Sequence, residues 1–238
     1  MKKIFPLSAV IAAVTFGVSC SSFADPSYLD GTTFKVGVVN INPHSEATPI
    51  SGPFTPPDAL SLEVQSKTTL YFGVSYDFTE HLQADLAMGI PPKHQVNIVV
   101  LNPALVTPEM AATNGQAGAY VTQFAPTAFL NYVFGSREST FRPFVGLGVN
   151  YTKFTKAEST PTNDNLNGGP TTMGLTSSTG AAAQIGFSQK ITKDWAVFGS
   201  YTTAKVHTTL TSNTLGIERT SDIKFKPAVL TLSVGRSF

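Results

Sequence analysis

The chain has 238 residues, a formal net charge of +1, and charged side chains at only 13% of its positions, about half the share usual in soluble domains. This length suits one domain with a sizeable interior. The near-neutral charge excludes the basic surface typical of nucleic-acid-binding proteins, so no nucleic-acid partner is expected. The single cysteine, Cys20, lies in a segment predicted to be removed, which excludes disulfides and cysteine-bound metals from the mature protein.

The first residues have the pattern of a secretory signal peptide. Lys2 and Lys3 precede a mostly apolar stretch at residues 4–18, and a small-x-small site ends at Ala24. We therefore predict cleavage after residues 1–24, which leaves a mature domain of residues 25–238. The apolar stretch is too short for a membrane-spanning helix. A lipoprotein signal at Cys20 is the alternative, but the preceding residues lack the usual leucine and small-residue approach.

The mature chain contains eight segments in which apolar residues alternate with small or polar ones. A period of two places alternate side chains on opposite faces of a strand. The first three predicted strands are residues 32–41, 67–78 and 82–90, and a turn at 79–81 joins the last two into a hairpin. The apolar face of each is predicted to point outward. Its members are Phe34, Val36, Val38, Leu70, Phe72, Val74, Tyr76, Phe78, Leu82, Ala84, Leu86, Met88 and Ile90.

Five further predicted strands follow, at residues 120–134, 141–154, 179–190, 195–207 and about 223–238. The phase of the seventh stays open, because two apolar pairs fall on opposite faces. The pairs are Phe198 with Val206 and Val197 with Tyr201. In the other strands the outward residues are Phe124, Ala128, Leu130, Tyr132, Phe134, Val145, Leu147, Val149, Tyr151, Ala181, Ala183, Ile185, Phe187, Ala228, Leu230, Leu232, Val234 and Phe238.

The connections between these strands alternate in length. Those after the second, fourth and sixth strands have three to six residues. Those after the odd-numbered strands have roughly 15 to 30, against about 4–6 in most proteins. Bacterial outer-membrane barrels have short periplasmic turns and long extracellular loops. The last strand alone also fits a soluble β-sandwich, but the whole pattern predicts an all-β, eight-stranded antiparallel transmembrane β-barrel.

The inward face of the predicted strands is rich in glycine. A barrel of eight strands is only wide enough for its interior side chains to fill it. The glycines therefore indicate either tight packing beside large neighbours or a narrow cavity, and both remain open. Aromatic residues cluster near the strand ends, as in interfacial belts. On the loop side these are Phe124, Tyr151 and Phe154.

Two stretches of the chain resemble a known family. Residues 70–82 (LYFGVSYDFTEHL), followed by ADLA at 84–87, are similar to the second and third strands of the outer membrane protein W family. Residues 141–152 (FRPFVGLGVNYT) resemble its fifth strand. The resemblance implies an eight-stranded barrel with a mainly hydrophobic channel that passes small hydrophobic molecules across the Gram-negative outer membrane. The chain departs from the family at Arg236, where an aromatic residue is usual, and in its proline-rich first loop.

Three ionisable residues are predicted on the inner face near the periplasmic end: Lys35, Asp85 and Arg142. An unpaired charge in a narrow interior is costly, so pairing is expected. We interpret the three as a polar plug that closes the lower barrel. The alternative is that Arg142 lies in the periplasmic rim.

A plug would block a hydrophobic solute from running straight through, and a sideways exit into lipid would avoid the polar constriction. The position to consider is Pro126 in the fourth strand, because proline cannot donate to a sheet and weakens its ladder. Pro126 is therefore the candidate lateral opening. At the outer end, apolar loop residues are predicted to form a hydrophobic funnel. These are Phe54, Ile98, Val100 and Leu101, with Val99, Leu105 and Val106 beside them.

Catalytic chemistry is not indicated. The four histidines are scattered without metal-ligand spacing, and no nucleophile–base pair is visible. We expect no enzyme activity, no catalytic residue, no metal and no cofactor.

The predicted function is passive uptake of small hydrophobic molecules through an outer-membrane channel. The alternative is a filled barrel with a structural or surface-interaction role. Such a barrel would act through its loops, in adhesion, in stress response, or as a receptor for phages or colicins. The expected partners are outer-membrane lipid, lipopolysaccharide, small hydrophobic solutes, and the barrel-assembly machinery through Phe238. Lys93 and His94 either contact lipopolysaccharide through positive charge or simply form a solvated strand end, and the solvated end is the favoured interpretation. The barrel is expected to be a monomer.

Overall fold

The computed structural model describes residues 29–238. The predicted signal peptide and cleavage site lie outside the described residues. The strands are β1 (Thr32–Asn42), β2 (Ser45–Ala47), β3 (Leu60–Val64), β4 (Lys67–Asp77), β5 (Leu82–Gly89), β6 (Lys93–Val100), β7 (Ala117–Phe124), β8 (Thr127–Val133), β9 (Phe141–Ser159), β10 (Thr171–Leu175), β11 (Ser178–Lys190), β12 (Trp195–Ala204), β13 (Val206–Thr214), β14 (Ile217–Phe225) and β15 (Ala228–Ser237). Two short helices, α1 (Pro108–Ala111) and α2 (Pro161–Asn167), lie in the long connections. Within residues 29–238, no helix has the length and hydropathy needed to cross a membrane.

Eight of these strands form a closed antiparallel ring, which we call the membrane barrel. Its order is β1, β4, β5, β8, β9, β11, β12 and β15, and β15 pairs with β1 to close it. At the closure, Gly31 N–H donates to Phe238 O and Phe238 N–H donates to Thr32 O, both at 3.0 Å. The predicted eight-stranded antiparallel barrel is therefore confirmed.

The outward face of the membrane barrel is apolar, as the alternation predicted. The large side chains on this face are exposed, up to 74% for Leu147. Inward neighbours such as Ser75, Asn131 and Ser233 are almost completely buried. This reversal of the usual arrangement is what a wall surrounded by lipid requires. In β12, Val197 lies opposite Val234 and Tyr201 opposite Leu230, so these residues point outward and Phe198 points inward.

The predicted long loops contain seven additional strands. With the outer end of β9 they form a second sheet in the order β3, β6, β7, β9, β10, β13, β14 and β2. Side-chain hydrogen bonds connect its two edges: Ser61 Oγ donates to Ala47 O at 3.2 Å, and Val64 N–H to Ser45 Oγ at 3.1 Å. We call this sheet the extracellular barrel. Only β9 runs through both barrels among the described strands.

The extracellular barrel explains why three predicted strands were too long. Residues 120–134 comprise parts of β7 and β8 with a break at Pro126, and residues 223–238 comprise parts of β14 and β15 with a break at Pro227. Likewise, the seventh predicted strand extends from β12 into β13. Each break marks the level at which one barrel gives way to the other.

The polarity of the extracellular barrel is the inverse of that of the membrane barrel. Its inner face buries apolar side chains, including Val96, Val121, Ile223 and Phe225. Phe154 packs against this interior, so its predicted place in the interfacial belt is wrong. A bulge follows in β9: Thr122 pairs with Lys156 and Gln123 with Phe154, which leaves Thr155 as an extra residue.

Inward glycines in the membrane barrel make room for large side chains. At Gly148, an added Cβ would lie 2.2 Å from Ala128 O and 2.6 Å from the Phe129 ring. Phe129 itself is 4% exposed. Of the two interpretations of the inward glycines, tight packing beside large neighbours holds in this part of the barrel.

We predict that Gly148→Ala destabilises the folded barrel by about 1–3 kcal/mol, the usual cost of overpacking a well-packed interior. The check is the midpoint of urea unfolding in lipid. The folded fraction at each urea concentration is read from electrophoresis, on which unheated folded protein and heated unfolded protein differ in mobility. Gly174→Ala is the matched control, because nothing lies within 4 Å of the Cβ added there. Equal midpoints for both variants would contradict the packing argument.

Candidate functional site

The interior of the membrane barrel contains a buried ion pair. Lys35 Nζ on β1 lies 2.7 Å from Asp85 Oδ1 on β5, and each side chain is only 4% exposed. The Phe198 ring on β12 lies 5.1 Å from the same ammonium group. Because both charges are removed from water, each depends on the other for its compensation.

Neutral polar side chains extend this pair across the barrel. Gln184 Nε2 donates to Asn131 Oδ1 at 2.7 Å and to Asp85 Oδ2 at 3.4 Å. Asn131 Nδ2 then donates to Gln83 Oε1 at 3.1 Å. Gly146 lies between Asn131 and Gln184 in the sheet, and a Cβ there would meet Asn131 Oδ1 at 2.0 Å. The absent side chain at position 146 thus permits the hydrogen bond. We call this connected set the polar layer.

The structure brings together two of the three residues predicted for a plug. Lys35 and Asp85 form the centre of the polar layer, whereas Arg142 lies apart from them. Its guanidinium Nη2 donates to the Glu80 backbone carbonyl in the β4–β5 turn, so Arg142 lies at the periplasmic end. The neutral members Gln83, Asn131 and Gln184 were missed by the sequence analysis, although their inward phase was visible in the alternation.

A largely apolar cavity lies on the extracellular side of the polar layer. We call it the chamber, and its volume is about 180 Å³. Tyr71, Phe129 and Gln184 line its inner end, and Asn163, Ser212 and Arg219 line its outer end. An apolar cavity of roughly 150 Å³ is large enough to bind benzene. Apolar residues along the wall include Leu62, Val64, Val96, Val121, Phe154, Met173, Leu175, Leu210, Ile223 and Phe225.

The four residues predicted to form a hydrophobic funnel do not line the chamber. Phe54 is 88% exposed and Leu101 is also exposed to solvent. Ile98 is buried, but a Cβ added at Gly118 would meet it at 2.7 Å, so it packs against β7. Val100 is half-buried and pairs with Leu60. The wall is built instead by other inward residues, of which Leu62, Val64, Val96, Met173, Leu175 and Leu210 lie in segments predicted as loops.

The predicted lateral opening, Pro126, lies beside a gap in strand pairing. Pairing between neighbouring strands stops at Ala87 with Thr127 and resumes at Lys93 with Thr122. We call the segment between these pairs, residues 88–92 facing 123–126, the seam. Across it, Gln123 N–H donates to Pro92 O at 3.4 Å. The chamber is lined by residues of both edges of the seam: Met88, Gly89, Pro92, Gln123 and Ala125.

The proline that faces the seam is Pro92 rather than Pro126. Tyr151 N–H donates to Pro126 O at 3.0 Å, and a hydrogen-bonded antiparallel pair exchanges both of its bonds. The donor that Pro126 lacks therefore belongs to the β8–β9 ladder. Across the seam, Gln123 N–H donates to Pro92 O, so by the same rule the donor that Pro92 lacks would have faced Gln123. The missing donor at Pro92 weakens pairing there.

One histidine borders the chamber. His94 is almost fully buried, and its Nδ1 lies 2.8 Å from Gln65 O. Burial lowers the pKa of His94 below its usual value, and Lys67 adds to this effect, while the bond to Gln65 opposes it. Within residues 29–238, no group of three or more histidine, cysteine, aspartate or glutamate residues is arranged to hold a metal ion.

A charged cluster lies on the outer surface of the extracellular barrel. Glu158 accepts from Lys93 Nζ at 2.6 Å and from Lys156 Nζ at 2.5 Å. The Lys93 ammonium also lies 4.7 Å from the Tyr120 ring. The hydrogen bonds from Lys156 and Lys93 lower the pKa of Glu158 to about 2.

The model of the OmpW family matches residues 31–238 of this sequence. The chain belongs to the OmpW family. Outer membrane protein W of Salmonella typhimurium is 28% identical over 240 residues, covering 100% of both chains. The protein of the same name from Vibrio cholerae is 28% identical over 182 residues, covering 74% of this chain and 76% of its own.

Solved structures agree with the fold. The crystal structure of outer membrane protein OprG from Pseudomonas aeruginosa matches with a TM-score of 0.75 at 23% identity, covering 88% of this chain and 96% of that one. The solid-state NMR structure of outer membrane protein AlkL matches with a TM-score of 0.61 at 14% identity, covering 100% and 97%. This OmpW-family chain is a β-barrel of the Gram-negative outer membrane.

We predict that Lys35→Met lowers the free energy of unfolding by about 3–5 kcal/mol, because it leaves Asp85 charged and buried without a partner. The double variant Lys35→Met/Asp85→Leu is expected to recover most of this loss. Urea unfolding in lipid measures both. A double variant no more stable than the single one would contradict the pairing.

We also predict that Lys93→Met combined with Lys156→Met raises the pKa of Glu158 from about 2 toward 4.5. In the wild type the stabilisation from these contacts is fully present above pH 4.5, while the lysines carry their protons, and is lost as the pH falls through 2, because the folded-state pKa of Glu158 is the lower one. Carboxyl NMR titration measures the shift. Lys226→Met, on a different strand connection, is expected to leave the Glu158 pKa unchanged.

Proposed function

We propose that the protein is a non-catalytic channel for passive uptake of small hydrophobic molecules. The observation that supports this proposal is the chamber: an apolar cavity within an extracellular barrel that is polar on its outside. A solute that enters the chamber exchanges water for apolar side chains, which gains about 25 cal/mol per Å² of apolar surface buried.

The polar layer makes a straight route to the periplasm unfavourable. A hydrophobic solute passing the Lys35–Asp85 pair would give up its apolar contacts and separate charges that are compensated only by each other. We propose that the polar layer acts as the plug of the lower barrel, with Arg142 contributing at the periplasmic rim. The solute then has to leave the chamber before it reaches this level.

The seam is the proposed exit. Its edges line the chamber, and its outer side meets the lipid-facing surface near Phe124 and Ile90, both exposed. Pro92 removes one backbone donor from the seam. A solute moving sideways between the two edges would pass from apolar wall to lipid without crossing the polar layer.

The proposed partners follow from the outer surface. The apolar band is proposed to contact membrane lipid, and the exposed amines of Lys93 and Lys156 to contact lipopolysaccharide phosphates. Phe238 is proposed as the contact with the barrel-assembly machinery. In the folded chain its ring lies edge-on to Phe34 at 5.9 Å, and the Arg236 guanidinium lies 4.8 Å from it.

We predict that Pro92→Ala reduces uptake of a hydrophobic solute about two- to tenfold, because it supplies one backbone hydrogen bond across the seam. Pro126→Ala is the matched control: it supplies a donor to the β8–β9 ladder and is expected to leave uptake near the wild-type rate. The measurement is the initial uptake rate of a radiolabelled long-chain alkane or an indole-like compound in cells that lack the native protein and express each variant.

Uptake by the same cells also distinguishes the proposed channel from the alternative function, a filled barrel that acts through its surface. Wild-type uptake equal to that of cells without the protein, with altered adhesion or phage sensitivity, would favour a filled barrel that acts through its surface. Uptake that depends on the protein but is unaffected by Pro92→Ala would remove the seam from the route. Heat-modifiable electrophoretic mobility shows that each variant is folded.

A further inference from the structure

Arg219 is a charged residue on an otherwise apolar and neutral inner surface. It lies on β14 and shares the inward face with Ser221, Ile223 and Phe225, all three of which are buried. The neighbouring charged residues of the strand, Glu218, Asp222 and Lys224, are exposed on the outer face. Arg219 borders the outer end of the chamber beside Asn163 and Ser212.

The proline-rich first loop holds this arginine in place. Ser51 and Thr220 exchange backbone hydrogen bonds at 3.0 and 2.9 Å, which attaches the loop to β14. Arg219 Nε then donates to Thr55 Oγ1 at 3.1 Å. A Cβ added at Gly52 would lie 2.9 Å from Arg219 Cγ, so the loop backbone packs directly on the arginine stem. The position of the guanidinium group is thereby restricted.

One end of the guanidinium group has no acceptor in the described protein. Arg219 Nη1 is buried and has no hydrogen-bond partner. None of the ion pairs formed within residues 29–238 includes Arg219. The residues that line the chamber include no aspartate and no glutamate. A buried charged donor without an acceptor is costly, and an anionic ligand would satisfy it.

The inner wall below Arg219 supplies a complementary apolar surface. From Arg219 to Phe225 the strand advances six residues, about 20 Å along the wall. Ile223 and Phe225 lie on this path, and Val96, Leu210 and Met173 line the same chamber. A positive group at the opening and an apolar wall behind it fit a molecule with an anionic head and a hydrocarbon tail. The planar guanidinium fork matches a carboxylate in particular.

We infer that the chamber selects amphiphilic carboxylates, binding the carboxylate at Arg219 and the hydrocarbon tail along the inner wall. This inference rests on the proposed uptake function and names a substrate class for it. Arg219 is then the residue that distinguishes an acid from a neutral or cationic molecule of equal chain length. Thr55 is a positioning residue, because it acts on the ligand only through Arg219.

Three probes of equal chain length test this: decanoate, methyl decanoate and decylammonium, each radiolabelled, in cells that express the full-length protein in place of the native copy. Arg219→Gln is expected to lower the initial rate of decanoate uptake about tenfold, the factor for one hydrogen bond to a charged group, and to leave methyl decanoate unchanged. Arg219→Lys is expected to retain part of the decanoate rate, because it keeps the positive charge but lacks the planar fork. Lys224→Gln, on the outer face of the same strand, is the matched control and is expected to change nothing.

The outcomes separate this inference from the function on which it rests. Wild-type uptake of methyl decanoate without an effect of Arg219→Gln on decanoate would overturn the selectivity alone. An equal loss of all three probes in Arg219→Gln would also overturn it, because a merely structural role predicts that result. If the wild-type protein increases uptake of none of the probes, both the proposed function and this inference fail. Should Arg219→Gln not fold, Arg219→Glu provides the second test, with decylammonium expected to replace decanoate as the preferred probe.

Discussion

The hydrocarbon core of a membrane contains no water to bond a peptide group, so each strand of the membrane barrel must be paired along both edges. This constraint determines the ring of eight strands and its closure between β15 and β1. Closure at eight strands in turn leaves a narrow interior. The interior then accommodates large side chains only where the neighbouring strand has none, as Phe129 does beside Gly148.

Outside the membrane the same chain forms the extracellular barrel, which is surrounded by water instead of lipid. Its polar residues therefore face outward and its apolar residues face inward. The change of polarity occurs along β9, the strand shared by both barrels. One consequence is that the apolar interior of the extracellular barrel lies directly next to the polar interior of the membrane barrel. The chamber and the polar layer are thus two results of a single change of environment.

The alternation of residues was sufficient to predict the membrane barrel. It gave the strand number, the outward face of seven strands, and the inward phase of Lys35 and Asp85, because lipid on one side and a filled interior on the other impose a strict period of two. It was insufficient for β12, where Phe198 points inward although the residue is apolar. Inside the barrel, the Phe198 ring contacts the Lys35 ammonium group. Hydrophobicity alone therefore does not predict the face on which this side chain lies.

The extracellular barrel was not predicted, and the reason is physical. Three of its strands, β2, β3 and β10, have only three to five residues, and the outward faces of its strands carry the polar residues expected of loops. Arg219 therefore fell within a segment taken as a loop, and no pattern identified it as inward. The seam could have been anticipated from Pro92 and Pro126, but which edge each proline weakens depends on hydrogen-bond direction. That direction follows from strand register, which only the folded structure provides.

The bulge at Thr155 has a consequence for how the length of this chain can change. Because Thr155 has no partner on β7, its loss would leave Ala157 inside and Lys156 and Glu158 outside. Loss of any single residue elsewhere in the middle of β9 would instead turn the charged pair into the chamber and Ala157 toward water. An insertion or deletion of two residues in this wall therefore keeps the following side chains on their original faces. A change of one residue does so only at a bulge. Thr155 is the place on β9 where the extracellular barrel can gain or lose one residue and keep its inside and outside.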